Sequence, residues 1–265
     1  MRQHENVQPP TDRLGHQICD YSDTDYAEFW ADGSRAYEDA VERIALRRLT
    51  AGISGTCLEI GAGYGRLVNE YAQRCSRVVL TDYAENLLSQ ARDHVRQLGF
   101  DHVECRRQNL YELDQDGWLF DNAICIRVLH HVESVPDFFR QVNLVLCDGG
   151  CFILEYANKR NLLEIFRWLF HRPNIAPFDR RPSARRQNIY YNFHPAYIRD
   201  LLCRNGFEIE EELSVSIFRS RALKRMVGPR LLAELERPLQ KLLGPLHLSP
   251  SVFIRARKIT TVARP

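Results

Sequence analysis

Seven residues, Glu59-Ile60-Gly61-Ala62-Gly63-Tyr64-Gly65, stand where an apolar run meets a segment of helical character. A strand that turns abruptly into a helix needs glycines wherever a Cβ would block the backbone path or the approach of a ligand. The backbone itself then becomes a binding surface. The spacing is GxGxG, one residue shorter than the GxGxxG of dinucleotide folds. Asp82 closes the next apolar run, RVVLTD, 17 residues beyond Gly65, where a carboxylate can accept hydrogen bonds from both hydroxyls of a ribose. Tyr83 follows directly and offers a ring to an adenine or ribose face. Gln108-Asn109-Leu110 comes after a third short run, with an amide able to bond an adenine nitrogen and a leucine able to cover the ring. A fourth run opens at Phe120-Asp121 and ends Arg127-Val128-Leu129-His130-His131-Val132.

The elements that must hold these residues alternate in type. Short apolar runs at 57–63, 77–82, 103–106, 120–126 and 151–157 read as strands, and segments of helical period fall at about 64–74, 84–98 and 135–146. That alternation predicts strand–helix–strand units and a mostly parallel sheet. Ahead of the first strand, Tyr37, Val41, Ile44 and Ala45 mark an amphipathic helix that can pack on the sheet. After the fifth strand the alternation breaks at NLLEIFRWLFHR (161–172) and an arginine-, proline- and aromatic-rich stretch, 173–193. A helix restarts at Pro195 and ends at Asn205-Gly206. Two long strands, 207–218 and 251–259, flank a helical insertion at about 220–243.

In this order of signals the chain resembles the class I S-adenosyl-methionine-dependent methyltransferases, in particular their small-molecule group, whose fourth strand ends in a Leu-His-His pattern, here Leu129-His130-His131. The resemblance covers residues 55–157 motif by motif and extends more weakly to the last two strands. It implies an α/β, Rossmann-like, seven-stranded and mostly parallel sheet with helices on both faces, an antiparallel last strand, and a helical lid after the fifth strand. It also implies a cap over the cofactor in 1–54, a cofactor-binding core in 55–157, a lid in 158–193, and the rest of the fold in 194–265. Carried over by position, Gly61, Ala62, Gly63 and Gly65 line the methionine portion of S-adenosyl-methionine, with Glu59 orienting the loop. Asp82 takes the ribose hydroxyls, Tyr83 lies against the adenosine, and Asn109 with Leu110 holds the adenine. Asn109 departs from the aspartate common there, and Arg127 is a less usual residue near the methionine end. The N-terminal residues Tyr26, Trp30 and Arg35 are expected to cover the cofactor, Arg35 facing its carboxylate.

Methyl transfer from a sulfonium asks the protein for positioning, exclusion of water and removal of the acceptor's proton. Ligands of open parallel sheets bind beyond the carboxyl ends of the strands. Candidate bases are therefore His130, His131 and Tyr191, together with Tyr156, Tyr190 and His194, and His130 is favoured as nearer the strand end. The acceptor is expected to be a small or medium-sized molecule, methylated on oxygen or nitrogen. An RNA or protein methyltransferase and a catalytically silent cofactor-binding scaffold are the alternatives. A nicotinamide oxidoreductase is disfavoured by the glycine spacing.

Composition bounds these readings. The 265 residues, 45% hydrophobic, suffice for one sizeable core. There is no uninterrupted apolar run of about 18 residues, and the start lacks a cleavable leader, so a soluble cytoplasmic protein is expected. A net charge of +2 conceals 15 Lys+Arg against 24 Asp+Glu in residues 1–150, and 21 against 10 beyond. The eight cysteines form no paired CxxC sets, and no metal is expected. The acids scattered through the basic half argue against nucleic acid as a partner. The apolar residues of 161–172 nearly surround their helix, which suits a substrate wall or contact with a membrane surface. Arg180, Arg181, Arg185 and Arg186 could recognise an anion on the substrate or on such a surface.

Overall fold

The computed structural model describes residues 10–20, 30, 33–171, 175–184 and 190–259, the side chain of Asp116 excepted. Each apolar run becomes a strand of one sheet: β1 (Thr56–Ile60), β2 (Arg77–Asp82), β3 (Val103–Arg107), β4 (Phe120–Cys125), β5 (Leu146–Ala157), β8 (Phe207–Val215) and β9 (Ser251–Lys258). Their order is β3-β2-β1-β4-β5-β9-β8. Six strands run in one direction, and β9 is antiparallel to both its neighbours. The central strands are apolar on both sides, because helices cover both faces. Register stacks their side chains in rows: Leu58 stands beside Val79 and Ala123, Phe152 beside Ala123 and Ala256.

Two cores result. One joins α1 (Ala36–Leu49) and α2 (Glu85–Leu98) to one face of the sheet, burying Tyr37, Val41, Ala45 and Leu49 of α1 and Ala91 and Val95 of α2. The other face receives α3 (Val135–Val145) and α5 (Pro195–Arg204), through Phe138, Phe139, Val142, Ile198 and Leu202. Spacings of three and four residues bring these side chains onto one side of each helix. Between β5 and α5 lie α4 (Leu162–Leu169) and a two-stranded ribbon, β6 (Ser183–Ala184) with β7 (Tyr191–Asn192). The buried Lys159 ties this insertion down, its Nζ donating to Arg181 C=O (2.7 Å) and Ser183 Oγ (2.8 Å). Arg185 and Arg186 lie outside the described residues. Among those described, no helix is long and apolar enough to cross a membrane.

Three expectations are corrected. The helix expected over 64–74 is instead a series of turns ending in two short 3₁₀ segments, Val68–Glu70 and Ala72–Arg74. Gly65, at φ +76°, interrupts α-helical winding just where it would begin. The insertion at 220–243 is two helices, α6 (Arg221–Val227) and α7 (Pro229–Leu242), separated by Gly228 at φ +86°. The strand from Phe207 stops at Val215, because Glu236 of α7 accepts the backbone N–H groups of Ser216 (2.9 Å) and Ile217 (2.8 Å).

Candidate active site

A cleft opens at the carboxyl ends of β1, β2 and β4. Its floor is the glycine turn. A Cβ on Gly61 would lie 2.2 Å from Val128 Cγ2, and its φ of +68° is one that side chains rarely adopt, so this position requires glycine. Ala62 and Gly63 continue the floor.

Asp82 lines the cleft at the end of β2, with Oδ2 accepting from Gly63 N–H (2.8 Å) and Oδ1 from Ala84 N–H (3.0 Å). Burial raises its pKa above the ordinary carboxylate value, against the opposing pull of those amides. A carboxylate offers about four acceptor positions, so two remain for hydroxyls from the cleft. Tyr83 and Leu110 stand beside it in the wall, and the guanidinium of Arg107 backs the Tyr83 ring at 4.9 Å. Asn109 is not in the wall. Its Oδ1 accepts Tyr111 N–H (3.0 Å), closing a local turn, and Gln108 takes the wall position instead.

At the other end of the cleft stand Arg66 and Arg127, held by one buried acid. Glu42 of α1 is fully buried; its Oε1 meets Arg127 Nε (2.8 Å) and Nη2 (2.6 Å), and its Oε2 meets Arg66 Nη2 (2.6 Å). Burial alone would raise the pKa of Glu42, but the two guanidiniums outweigh it and hold the carboxyl below its usual range. Arg127 adopts φ +65°, and its N–H donates to Glu155 Oε2 (3.1 Å). The Trp30 ring lies 3.8 Å from the Arg66 guanidinium and 5.4 Å from that of Arg127. Trp30 and Arg35 are not in the wall, and Arg66 stands where a cation was expected from Arg35. Asp39 and Glu42, one turn apart on α1, hold Arg66 by Nη1 and Nη2 respectively.

Glu59 also lines the cleft, fully buried and accepting the Tyr71 hydroxyl proton. Burial pushes its pKa up to about 7. The unfolded chain releases this proton near pH 4.5 and the folded chain near pH 7, so the folded state holds the extra proton between them. Stability must therefore fall as the pH rises through that window. Glu59→Gln should remove a fall on the order of 2 kcal/mol, measured as the parent-minus-variant difference in denaturant unfolding at about pH 5 and about pH 8. An identical pH dependence in the two proteins would refute the assignment.

The N-terminal segment reaches the cleft earlier in sequence than expected, through Gln17, Ile18 and Cys19. Gln17 N–H donates to Glu133 Oε2 (2.7 Å), and the His16 ring packs 4.7 Å from Tyr111. Tyr26 lies outside the described residues. No local signal marks residues 17–19.

Of the paired histidines, His131 is in the cleft wall and His130 is behind it. Burial, reinforced by His131 and Arg127, pushes the His130 imidazole well below its usual pKa, so it stays neutral. The two rings lie 4.1 Å apart, and Tyr190 packs on them at 4.7 and 5.9 Å. Tyr191 is turned the other way, toward Phe193 and the core. Tyr190 lies just before β7, and the chain that presents it to the histidines enters the strand with Tyr191 packed on the core side.

Comparison with known proteins agrees with this geometry. The family described as "Methyltransferase domain" matches residues 58–152, from β1 into β5. The magnesium protoporphyrin IX methyltransferase of Synechocystis, solved with bound S-adenosyl-homocysteine, superposes with a TM-score of 0.59 at 17% identity, over 90% of this chain and 96% of that one. Residues 58–152 thus match a methyltransferase domain, and the fold around them is the one that this S-adenosyl-homocysteine-bound methyltransferase also has. Curated relatives include the ubiquinone biosynthesis O-methyltransferase of Ruegeria pomeroyi, 31% identical over 102 residues, 38% of this chain and 41% of that protein. The protein of the same name from Xanthomonas axonopodis is 28% identical over 134 residues, 49% of this chain and 55% of its own length. The chain thus spans about half the length of the curated relatives it matches.

The residues present fit the family's cofactor. Gly61 and Gly63 present bare backbone to the cleft, Asp82 keeps acceptor positions for a ribose, and Tyr83 with Leu110 supplies flat and aliphatic walls. Arg66 and Arg127 supply positive charge at the far end, suited to an amino-acid carboxylate.

Proposed function

We propose that this methyltransferase transfers a methyl group from S-adenosyl-methionine to an oxygen of a small organic molecule. The observation that carries the reading is His131 in the wall of a cleft that also presents the Asp82 carboxylate, so a proton acceptor and the cofactor's fittings share one enclosure. S-adenosyl-methionine, when bound, supplies the electrophilic methyl group. Asp82 holds the ribose through the acceptor positions its backbone partners leave open. Arg66 and Arg127 hold the carboxylate, and Glu42 fixes both guanidiniums, so the cofactor's amino-acid end is positioned by groups that pay little entropy on binding. His131 would take the hydroxyl proton of the acceptor, and the neutral, buried His130 supports its ring. The printed name of the curated relatives supports oxygen over nitrogen.

The test is incubation with methyl-labelled S-adenosyl-methionine and a panel of catechols, hydroquinones, aliphatic alcohols and amines. Label should enter a phenolic ether. Label in amines, protein or RNA alone, or in no acceptor despite intact binding of S-adenosyl-homocysteine, would defeat the reading.

A further inference from the structure

The helix α4 is folded inside out. Its buried residue is Glu164, 5% exposed and paired with Arg167 (2.6 Å), while Leu162, Leu163, Phe166, Trp168 and Leu169 are each about half exposed. Phe170, directly after, is 72% exposed. A short helix in contact with water alone would be turned the other way, because exposed apolar area is unfavourable and exposed carboxylate is not. The apolar surface does not end there. Leu162 N–H donates to Leu248 C=O (2.9 Å), which joins the start of α4 to the loop leaving α7. On that side Leu246 is exposed, and α7 itself carries an outward stripe of Leu231, Leu235, Pro238 and Leu242 at helical spacing, with Leu242 71% exposed.

Charge identifies what such a surface meets. Residues 158–184 hold six Lys+Arg against two acids, and residues 219–241 hold seven against two. Arg160, Arg180 and Arg181 form no ion pair with an acidic side chain among the described residues. Position matters equally. Helix α4 follows the carboxyl end of β5, and Ser251, which opens β9, pairs with Ala157 at that same end. Glu236 of α7 caps the backbone just beyond the carboxyl end of β8. The apolar and basic surface therefore stands at the end of the sheet where the cleft opens.

We propose that the outer faces of α4 and α7 dock on an anionic lipid membrane, apolar side chains entering the interface and arginines meeting the lipid headgroups. An acceptor dissolved in the bilayer then reaches the cleft without crossing water, a consequence that rests on the methyl-transfer reading above. Docking itself does not depend on that reading, and the experiment separates the two.

Co-sedimentation with vesicles of phosphatidylcholine, alone or mixed with phosphatidylglycerol, reads docking directly. Binding to the mixed vesicles should exceed binding to the neutral ones and weaken as salt rises. Phe166→Asp and Leu242→Asp should each weaken it by at least about tenfold. Leu144→Asp alters an exposed leucine of α3 at the opposite end of the sheet and should leave binding unchanged. Calorimetric affinity for S-adenosyl-homocysteine should be the same in all four proteins, which establishes folding and keeps failure of docking distinct from failure of the cofactor site. The proposal is overturned if the parent ignores both kinds of vesicle or if Leu144→Asp weakens binding as much as Phe166→Asp. It is equally overturned if the parent is a dimer in solution that Phe166→Asp converts to a monomer, since the surface then belongs to a second copy.

Discussion

Asp82→Ala should abolish measurable binding of S-adenosyl-homocysteine, a loss on the order of a hundredfold to a thousandfold in affinity. The carboxylate is held by Gly63 and Ala84 N–H groups at 2.8 and 3.0 Å and offers its remaining acceptor positions to the cleft. Hydrogen bonds to a charged group contribute about 1.5–3 kcal/mol each, and the ribose can donate two. The same substitution strips two backbone amides of their partner, so some stability is lost as well. Asp82→Asn separates the effects in part, because its amide oxygen still accepts from one of the two backbone N–H groups and from one hydroxyl, whereas its NH2 accepts from neither. The asparagine variant should melt between the alanine variant and the parent and recover only part of the affinity. Calorimetry on the three proteins decides it. Near-parental affinity in a folded Asp82→Ala protein would place the cofactor elsewhere.

His131→Ala should lower kcat by about 10²–10⁴-fold while changing affinity for S-adenosyl-homocysteine little. The deficit should depend on the acceptor. A weakly acidic phenol needs a base to take its proton, whereas an acidic nitrophenol is already ionised, so the variant should approach parental turnover on the second substrate. His130→Ala should behave differently. His130 is buried and its imidazole is held neutral, so its loss leaves a cavity beside His131 and Tyr190 and lowers stability without that acceptor dependence. Equal deficits on both phenols would reduce His131 to a packing residue, and proximity alone would then account for the chemistry.

The end of the cleft lined by Arg66 and Arg127 is built from residues far apart in sequence. Arg66 follows the glycine turn, Arg127 follows β4, and Glu42 belongs to a helix before either. Glu42 is isolated from water and satisfied on both oxygens, a placement only the packing of α1 on the sheet can arrange. Breaking such a buried arrangement from one side leaves uncompensated charge, which gives the cleft a rigid end rather than two free guanidiniums.

Sequence by itself determined the sheet and the glycine turn with Asp82 and Tyr83 beside it, because both are written in local signals. Apolar runs of five or six residues read as strands buried on both faces, and the glycine spacing marks the abrupt turn at Gly61. Asp82 and Tyr83 follow from their distance to that turn. Tertiary structure decided the rest. Asn109 and Gln108 are adjacent, and which one faces the cleft depended on a turn closed by Tyr111 N–H. His130 and His131 carry the same chemistry, and only packing buried one and placed the other in the wall. Tyr190 rather than Tyr191 meets the histidines because the short strand that begins at Tyr191 carries that ring to the core, and the sequence does not announce its pairing. The contribution of residues 17–19, and the pairing of Arg66 and Arg127 through Glu42, depend on contacts across many tens of residues. Local propensity carries no information about such contacts, because they are fixed by how the helices pack on the sheet rather than by any neighbour in the chain.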